Sequence, residues 1–234
     1  MVTKQTDDFA SLDYLAGETL LVDKPPQWTS FKVVHTIRKA INVKRVGHTG
    51  TLDPLATGLL IILTGKNTKQ MMNFEGLSKS YTGTFLLGRT SPSMDTETEM
   101  TSRDLPENLN DDLIFETRNT FLGDIEQIPP MYSALKVNGK KLYDLARKGK
   151  EVERKTRNVH IYHFKITGIN IPEVHFDIRC SKGTYIRVIA NDFGEKLGCG
   201  AVLTKLRRTE IGEYSVNNAL SVEEFVENYS MCKH

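Results

Sequence analysis

The apolar positions of the chain change their period several times, and each change marks an element. Thr19 to Val22 is a short apolar run that predicts a strand, and Asp23-Lys24-Pro25-Pro26 then forces a turn, because consecutive prolines remove two donors and fix φ. Val33, Val34, Ile37, Ala40 and Ile41 follow at helical spacing, with Ser30 as the expected N-cap. Leu59 to Leu63 is a continuous apolar run, as a strand buried on both faces requires. Tyr81 to Leu87 alternates instead, with Tyr81, Gly83, Phe85 and Leu87 on one face and Thr82, Thr84 and Leu86 on the other. Lys79-Ser80-Tyr81 enters that strand.

Residues 91–112 are polar, acidic and interrupted by Pro92 and Pro106, which predicts an exposed connection with little regular structure. Leu142, Tyr143, Leu145 and Ala146 fit a short amphipathic helix ended by Gly149. Val159 to Ile171 and Val174 to Cys180 read as neighbouring strands turned at Pro172. The glycine-bearing turn Lys182-Gly183-Thr184-Tyr185-Ile186-Arg187 leads into a helix from about Val188 to Leu197, and strand alternation puts Tyr185 and Arg187 on one face. Leu203 to Arg208 is a basic amphipathic stretch, and Ser221-Val222-Glu223-Glu224 has the capping-box pattern. Strands interspersed irregularly with helices predict an α+β fold with a mixed sheet in place of a doubly wound one.

Composition narrows the class. A chain of 234 residues with 39% hydrophobic content can bury one large core, so one domain, or one with a sizeable insertion, is expected. Cys180, Cys199 and Cys232 are odd in number and lack CxxC spacing, which points to a reducing compartment with neither a disulfide framework nor a structural zinc. No basic-then-apolar leader opens the chain, and no apolar run approaches the roughly 18 residues that span a bilayer. A soluble cytoplasmic protein without membrane attachment is the expectation.

The net charge of +2 conceals a segregation. From Ser91 to Gln127 there are ten acids against Arg103 and Arg118. From Lys136 to Lys165 the balance reverses: Lys136, Lys140, Lys141, Arg147, Lys148, Lys150, Arg154, Lys155, Arg157 and Lys165 face only Asp144, Glu151 and Glu153. Such a block is either a surface for a polyanion or a solvated face that neutralises the acidic block, and charge alone does not separate the two.

The strongest candidate chemistry lies in Gly47-His48-Thr49-Gly50-Thr51-Leu52-Asp53-Pro54-Leu55-Ala56-Thr57-Gly58, a loop with one carboxylate that leads into the buried run. It is not a phosphate-binding loop, since Gly65-Lys66 is followed by Asn67. Asp53-Pro54 has an ordinary alternative as the N-cap and first residue of a helix. His48 has one as a turn residue, Tyr81 as a core aromatic and Arg187 as a surface ion pair. His160, His163 and His175 lie on expected strands with no carboxylate at ligand spacing, so a metal site has little support.

Taken together, the motifs resemble the TruB family of tRNA pseudouridine synthases, which isomerise the T-loop uridine at tRNA position 55. The match runs through Asp23-Lys24-Pro25 with Thr29-Ser30, the Gly47 to Gly58 loop and Lys79-Ser80-Tyr81. It continues through Gln127-Ile128-Pro129-Pro130-Met131-Tyr132-Ser133-Ala134-Leu135-Lys136, with Gly139, Tyr143, Ala146, Arg147 and Gly149. It closes with Cys180 to Arg187, Asp192, Leu197-Gly198-Cys199-Gly200-Ala201 and Leu206-Arg207-Arg208-Thr209, covering roughly residues 19 to 225.

The resemblance implies a pseudouridine synthase catalytic fold: a mixed, largely antiparallel sheet flanked by helices, with a basic thumb-like insertion at about 127–158 that grips the T-stem-loop. It implies a catalytic domain over 19–234 behind an N-terminal extension over 1–18; many family members continue into a small RNA-binding domain of the PUA type, and by departure from them no such separate C-terminal domain is expected here. Asp53 becomes the catalytic carboxylate, Tyr81 packs against the target base, and Arg187 pairs with Asp53 and keeps it ionised. His48 displaces the target nucleotide, and His48 and Tyr81 together offset the cost, about a few kcal/mol, of a base leaving its stack. Lys24, Tyr185, Leu206, Lys136, Lys140, Lys141, Arg147 and Arg208 are the further expected RNA contacts. No cofactor and no metal are expected, and the partner is tRNA, bound by a monomer.

One departure from the family pattern has a structural consequence: where glycine is usual, this chain has Gln27, so the turn after Pro25 must differ or strain a non-glycine residue. Two other readings compete. One is a non-catalytic RNA-binding module using the same basic insertion, in which Asp53 would only repel the ligand. The other is the same isomerisation on a different RNA.

Overall fold

The computed structural model of the chain describes residues 1–9, 11–137 and 139–232; Ala10, Asn138, Lys233 and His234, the last three within the expected catalytic domain, lie outside the described residues. In chain order the main elements are β1 (Thr19–Lys24), α1 (Ser30–Ile41), β2 (Val46–His48), β3 (Thr57–Thr64), α2 (Met71–Glu75) and β4 (Lys79–Leu87). Then come β5 (Arg89–Thr90), β6 (Thr101–Ser102), α3 (Asp111–Asn119), β7 (Gly123–Gln127), β8 (Lys136–Val137), β9 (Lys140–Lys141) and α4 (Leu142–Ala146). The chain finishes with β10 (Arg157–Asn170), β11 (Glu173–Cys180), α5 (Ile186–Lys196), β12 (Ala201–Ile211), β13 (Tyr214–Ser215), β14 (Leu220–Ser221) and α6 (Val222–Met231). They belong to two compact units, Met1–Thr82 with Leu206–His234, and Gly83–Lys205.

The first unit is built around β3. On one edge β1 pairs with it antiparallel, Leu21 opposite Ile61, and β14 extends the sheet parallel to β1. On the other edge β2 pairs antiparallel near its end, with His48 opposite Ile62, and β12 pairs parallel at its start, with Arg208 opposite Gly58. The sheet is therefore mixed. Leu59 to Leu63 are all fully buried, as the unbroken apolar run predicts. Strand alternation divides them: Leu60 and Ile62 pack with Val33, Ile37 and Phe225 of α1 and α6, while Leu59, Ile61 and Leu63 pack with Ile211, Val216 and Ala219. Val2, Phe9 and Tyr14 of the N-terminal segment are buried in the first of these clusters.

Helix α1 buries Val33, Val34, Ile37 and Ile41, four of the five expected positions. Its N-cap is Thr29, whose hydroxyl accepts from the Lys32 amide, and not Ser30 as the sequence reading has it. Ser30 sits one residue inside the helix with its hydroxyl engaged elsewhere. Helix α6 has the full capping box between Ser221 and Glu224 that its sequence predicts.

In the second unit the long strand β10 is flanked antiparallel by β7 and β11, with β4 beside β11. Phe85, Phe121, Phe164, Phe176 and Phe193 form its aromatic core, with ring centroids 4.3 to 6.4 Å apart. Two expectations need correction here. Residues 91–112 are not a bare connection: β5 and β6 form a short ladder, and Ser93 and Asp95 are buried. The Lys182 to Arg187 turn enters its helix earlier than expected, so Tyr185 is the N-cap and Arg187 lies in the first turn of α5, not on a strand.

Candidate active site

The Asp53 loop leaves β2 and returns into β3. No helix follows it, so Asp53 is not a helix N-cap; the turn closes through the Ala56 amide on the Asp53 carbonyl (3.0 Å), and β3 begins at Thr57. Leu52 and Ala56 are buried while Asp53 between them is half-exposed. The loop is thus anchored by its apolar neighbours on either side of Asp53.

Three side chains hold the loop from behind. Lys24, wholly buried at the end of β1, points its ammonium at the carbonyls of Pro25 (2.9 Å), Trp28 (2.6 Å) and Pro54 (3.4 Å). Burial pushes its pKa down to about 8, against the opposing pull of Asp53. Arg208, 1% exposed, donates from Nε to the Leu59 carbonyl (2.7 Å) and from Nη2 to the Gly50 carbonyl (3.2 Å), tying the start of the loop to the strand after it. Ser30 exchanges two bonds with Leu52: its Oγ accepts from the Leu52 amide (2.9 Å) and donates to the Leu52 carbonyl (3.1 Å). Gln27 takes the strained option, with φ at +62° and its amide on the Pro54 carbonyl (2.8 Å).

Lys24 and Arg208 were expected at RNA. The structure puts both beneath the loop with their donors on backbone carbonyls, because β1 and β12 carry them inward; in this conformation they shape the loop and do not face solvent. His48 is the last residue of β2, not a turn residue, and is partly buried. Burial, and next the Arg208 cation, lower its pKa from the ordinary histidine value, so it is neutral at pH 7. Tyr81, at the start of β4, is buried, and Leu206 on β12 is half-buried.

In the second unit Arg187 is buried on α5, 3.8 Å from the equally buried Asp95 carboxylate. Asp95 also accepts from the Glu97 amide (2.9 Å), and its own carbonyl accepts from the Ser91 hydroxyl (2.6 Å). Tyr185 and Arg187 do come together, but as ring and cation: the Arg187 guanidinium carbon lies 5.8 Å from the Tyr185 ring centroid, and that of Arg157 lies 5.2 Å away. Gln127 fixes the Tyr185 backbone in both directions, its Oε1 accepting from the amide (3.0 Å) and its Nε2 donating to the carbonyl (3.2 Å).

The basic insertion is exposed. Lys136, Lys140 and Lys141 sit on the β8–β9 hairpin, and Lys141 donates to the Tyr143 hydroxyl (2.9 Å). Arg147 instead pairs with Glu97 at 2.9 Å, so one cation of the block is neutralised by the acidic segment. Among the described residues no three His, Cys, Asp or Glu side chains gather as metal ligands would. His160 bonds Asp124 (2.7 Å) and His175 bonds Thr84 (3.0 Å). No helix of the described residues is long and apolar enough to cross a membrane.

Sequence reasoning missed Asp95, Gln127 as a tether and the second role of Ser30. Asp95 lies in a Ser/Thr/Glu-rich tract that resembles solvated loop, and only its long-range partner reveals it. Gln127 opens the Gln127 to Lys136 motif, yet nothing local says that its amide meets Tyr185, 58 positions away.

The family model described as TruB family pseudouridylate synthase (N terminal domain) matches residues 38–186, and that described as tRNA pseudouridylate synthase B C-terminal domain matches residues 187–234. The tRNA pseudouridine synthase B of Flavobacterium johnsoniae is 48% identical over 223 residues, 92% of this chain and 97% of that protein. Its counterpart in Chloroherpeton thalassium is 51% identical over 90% of each chain. Among solved structures, a Cbf5-Nop10-Gar1 complex aligns with a TM-score of 0.72 and 28% identity over 94% of this chain, which spans 56% of that one. An H/ACA RNP bound to a substrate RNA containing 2′-deoxyuridine aligns at 0.70 with 26% identity, again over 94% of this chain and 56% of its own. With the Asp53 loop and the mixed sheet that supports it, these matches establish that the chain belongs to the TruB family of pseudouridylate synthases.

Proposed function

We propose that the protein converts the T-loop uridine at tRNA position 55 to pseudouridine, with Asp53 as the reacting carboxylate. The observation that carries the reading is the Asp53 loop itself: a half-buried aspartate on a backbone secured on both sides by buried side chains, which is the preorganisation that an aimed catalytic group requires.

The reaction breaks the bond between uracil N1 and ribose C1′, turns the base and forms a bond from C5 to C1′. The C5 proton is lost and N1 gains one, so there is no net redox change. An ionised carboxylate serves either by attack on C1′ or by removal of the 2′ proton. In this reading Arg187 is the counter-ion of Asp53, Tyr81 packs against the base, and neutral His48 occupies the space from which the nucleotide is displaced. Tyr185 and Leu206 line the bound RNA. Lys136, Lys140 and Lys141 meet its phosphates, with Arg147 joining them if it releases Glu97. The protein acts as a monomer in the cytoplasm, without a cofactor.

The test is Asp53→Asn in the full chain. Tritium release from tRNA carrying uridine labelled at C5 should stop while tRNA binding persists. Turnover by this variant would remove Asp53 from the mechanism, and an unchanged modification pattern in tRNA from a deletion strain would exclude position 55 as the target.

A further inference from the structure

We infer that Ser30 is a positioning residue for Asp53, acting through the backbone of Leu52. The inference rests on the proposed role of Asp53 as the reacting group. Ser30 is 2% exposed and stands in the first turn of α1. A serine there ordinarily serves its own helix, but that task is done by Thr29, whose Oγ1 accepts from the Lys32 amide at 3.0 Å. The Ser30 hydroxyl is spent on a residue 22 positions away: it accepts from the Leu52 amide at 2.9 Å and donates to the Leu52 carbonyl at 3.1 Å. One hydroxyl thus satisfies both backbone groups of the residue that precedes Asp53.

The carbonyl of Leu52 belongs to the peptide unit that carries the Asp53 amide, so holding it fixes the rotation by which the Asp53 side chain is aimed. On the other side, the Pro54 carbonyl accepts from the Gln27 amide at 2.8 Å and faces the Lys24 ammonium at 3.4 Å. Asp53 is the half-exposed residue between two tethered neighbours, and Ser30 supplies the tether on the N-terminal side. Helix α1 is itself anchored in the core by Val33, Ile37 and Ile41, so the reference against which the carboxylate is positioned is rigid. Ser30 touches neither the proposed base nor the ribose in this account; its effect on the reaction passes through the peptide.

The experiment compares Ser30→Ala, the nearly isosteric Ser30→Cys and Asp53→Asn in the full chain. It uses single-turnover tritium release with enzyme in excess over tRNA, alongside tRNA binding and thermal melting of each variant. A displacement on the order of 1 Å at a reacting group costs about 100-fold in rate, so Ser30→Ala should slow the step by about 10- to 100-fold. Its tRNA affinity should be unchanged, and Ser30→Cys, with its weaker hydrogen bonds, should fall between it and the parent. If Ser30→Ala does not fold, Ser30→Cys carries the test alone. Parental single-turnover rates in a folded Ser30 variant, or a loss explained wholly by weaker tRNA binding or by the unfolded fraction, would overturn the inference. Because Asp53→Asn is run beside them, an inactive Asp53→Asn with a fully active Ser30→Ala removes only the role of Ser30. An active Asp53→Asn removes the reading on which it rests.

Discussion

Asp95 and Arg187 face each other across 3.8 Å, carboxylate oxygen to guanidinium nitrogen, with side chains 2% and 3% exposed. Ions this deeply buried keep their charges only when compensated, so each makes the other tolerable. Asp95→Asn preserves shape and removes the charge. It should lower the unfolding free energy by about 3 kcal/mol, the low end for breaking a buried pair because 3.8 Å is long, as measured by urea titration. Turnover should fall with it, since Arg187 is proposed to balance Asp53.

Gly58 makes a second prediction about the same loop. Its φ is +102°, and a Cβ built there would lie 2.2 Å from the Arg208 carbonyl oxygen and 2.7 Å from the Arg208 amide nitrogen. Both obstacles are backbone, so neither can swing aside. Gly58→Ala should cost at least about 2 kcal/mol of stability by chemical denaturation, because left-handed strain is added to the clash.

Lys24 gives the pH dependence a definite sign. Its pKa in the folded protein is about 8, below the 10.5 of an ordinary lysine, so between these values the unfolded chain binds more protons than the native one. Its contribution to stability therefore rises as pH increases from about 8 towards 10.5 and is smallest below pH 8. Urea midpoints measured from pH 7.5 to 10 should show this rise in the parent, and Lys24→Met should lack it.

The basic insertion predicts a salt response. If the protein neutralises about four phosphates, log K for tRNA should fall against log salt with a slope near −3, at roughly −0.7 to −0.9 per contact. Replacing exposed Lys140 or Lys141 by alanine should reduce the slope by about one contact each. Arg147→Ala should reduce it less, because Arg147 is already paired with Glu97. A flat response in filter binding would take the insertion out of the account of affinity.

Much of the framework was legible in local pattern. The five-residue run from Leu59, the helical face from Val33 to Ile41, the paired strands either side of Pro172 and the capping box at Ser221 are all where periodicity puts them, since local propensity and burial agree there. The choice at Gln27 between a different turn and a strained residue was also legible, and the φ of +62° is its outcome. What local pattern misplaced were polar residues whose partners are distant: Ser30 as a cap and Asp95 as solvated loop.

The sequence by itself determined the apolar scaffold, the family and the identity of the loop that carries Asp53, because hydrophobic period and motif order are properties of the chain alone. Only the tertiary structure decided what the polar side chains do. A hydroxyl or a cation has no direction until strands and helices bring a carbonyl or carboxylate to it, and burial then makes finding that partner obligatory. Hence Ser30 reaches Leu52, Arg208 spans Gly50 and Leu59, and Asp95 stands against Arg187, none of which any spacing along the chain contains.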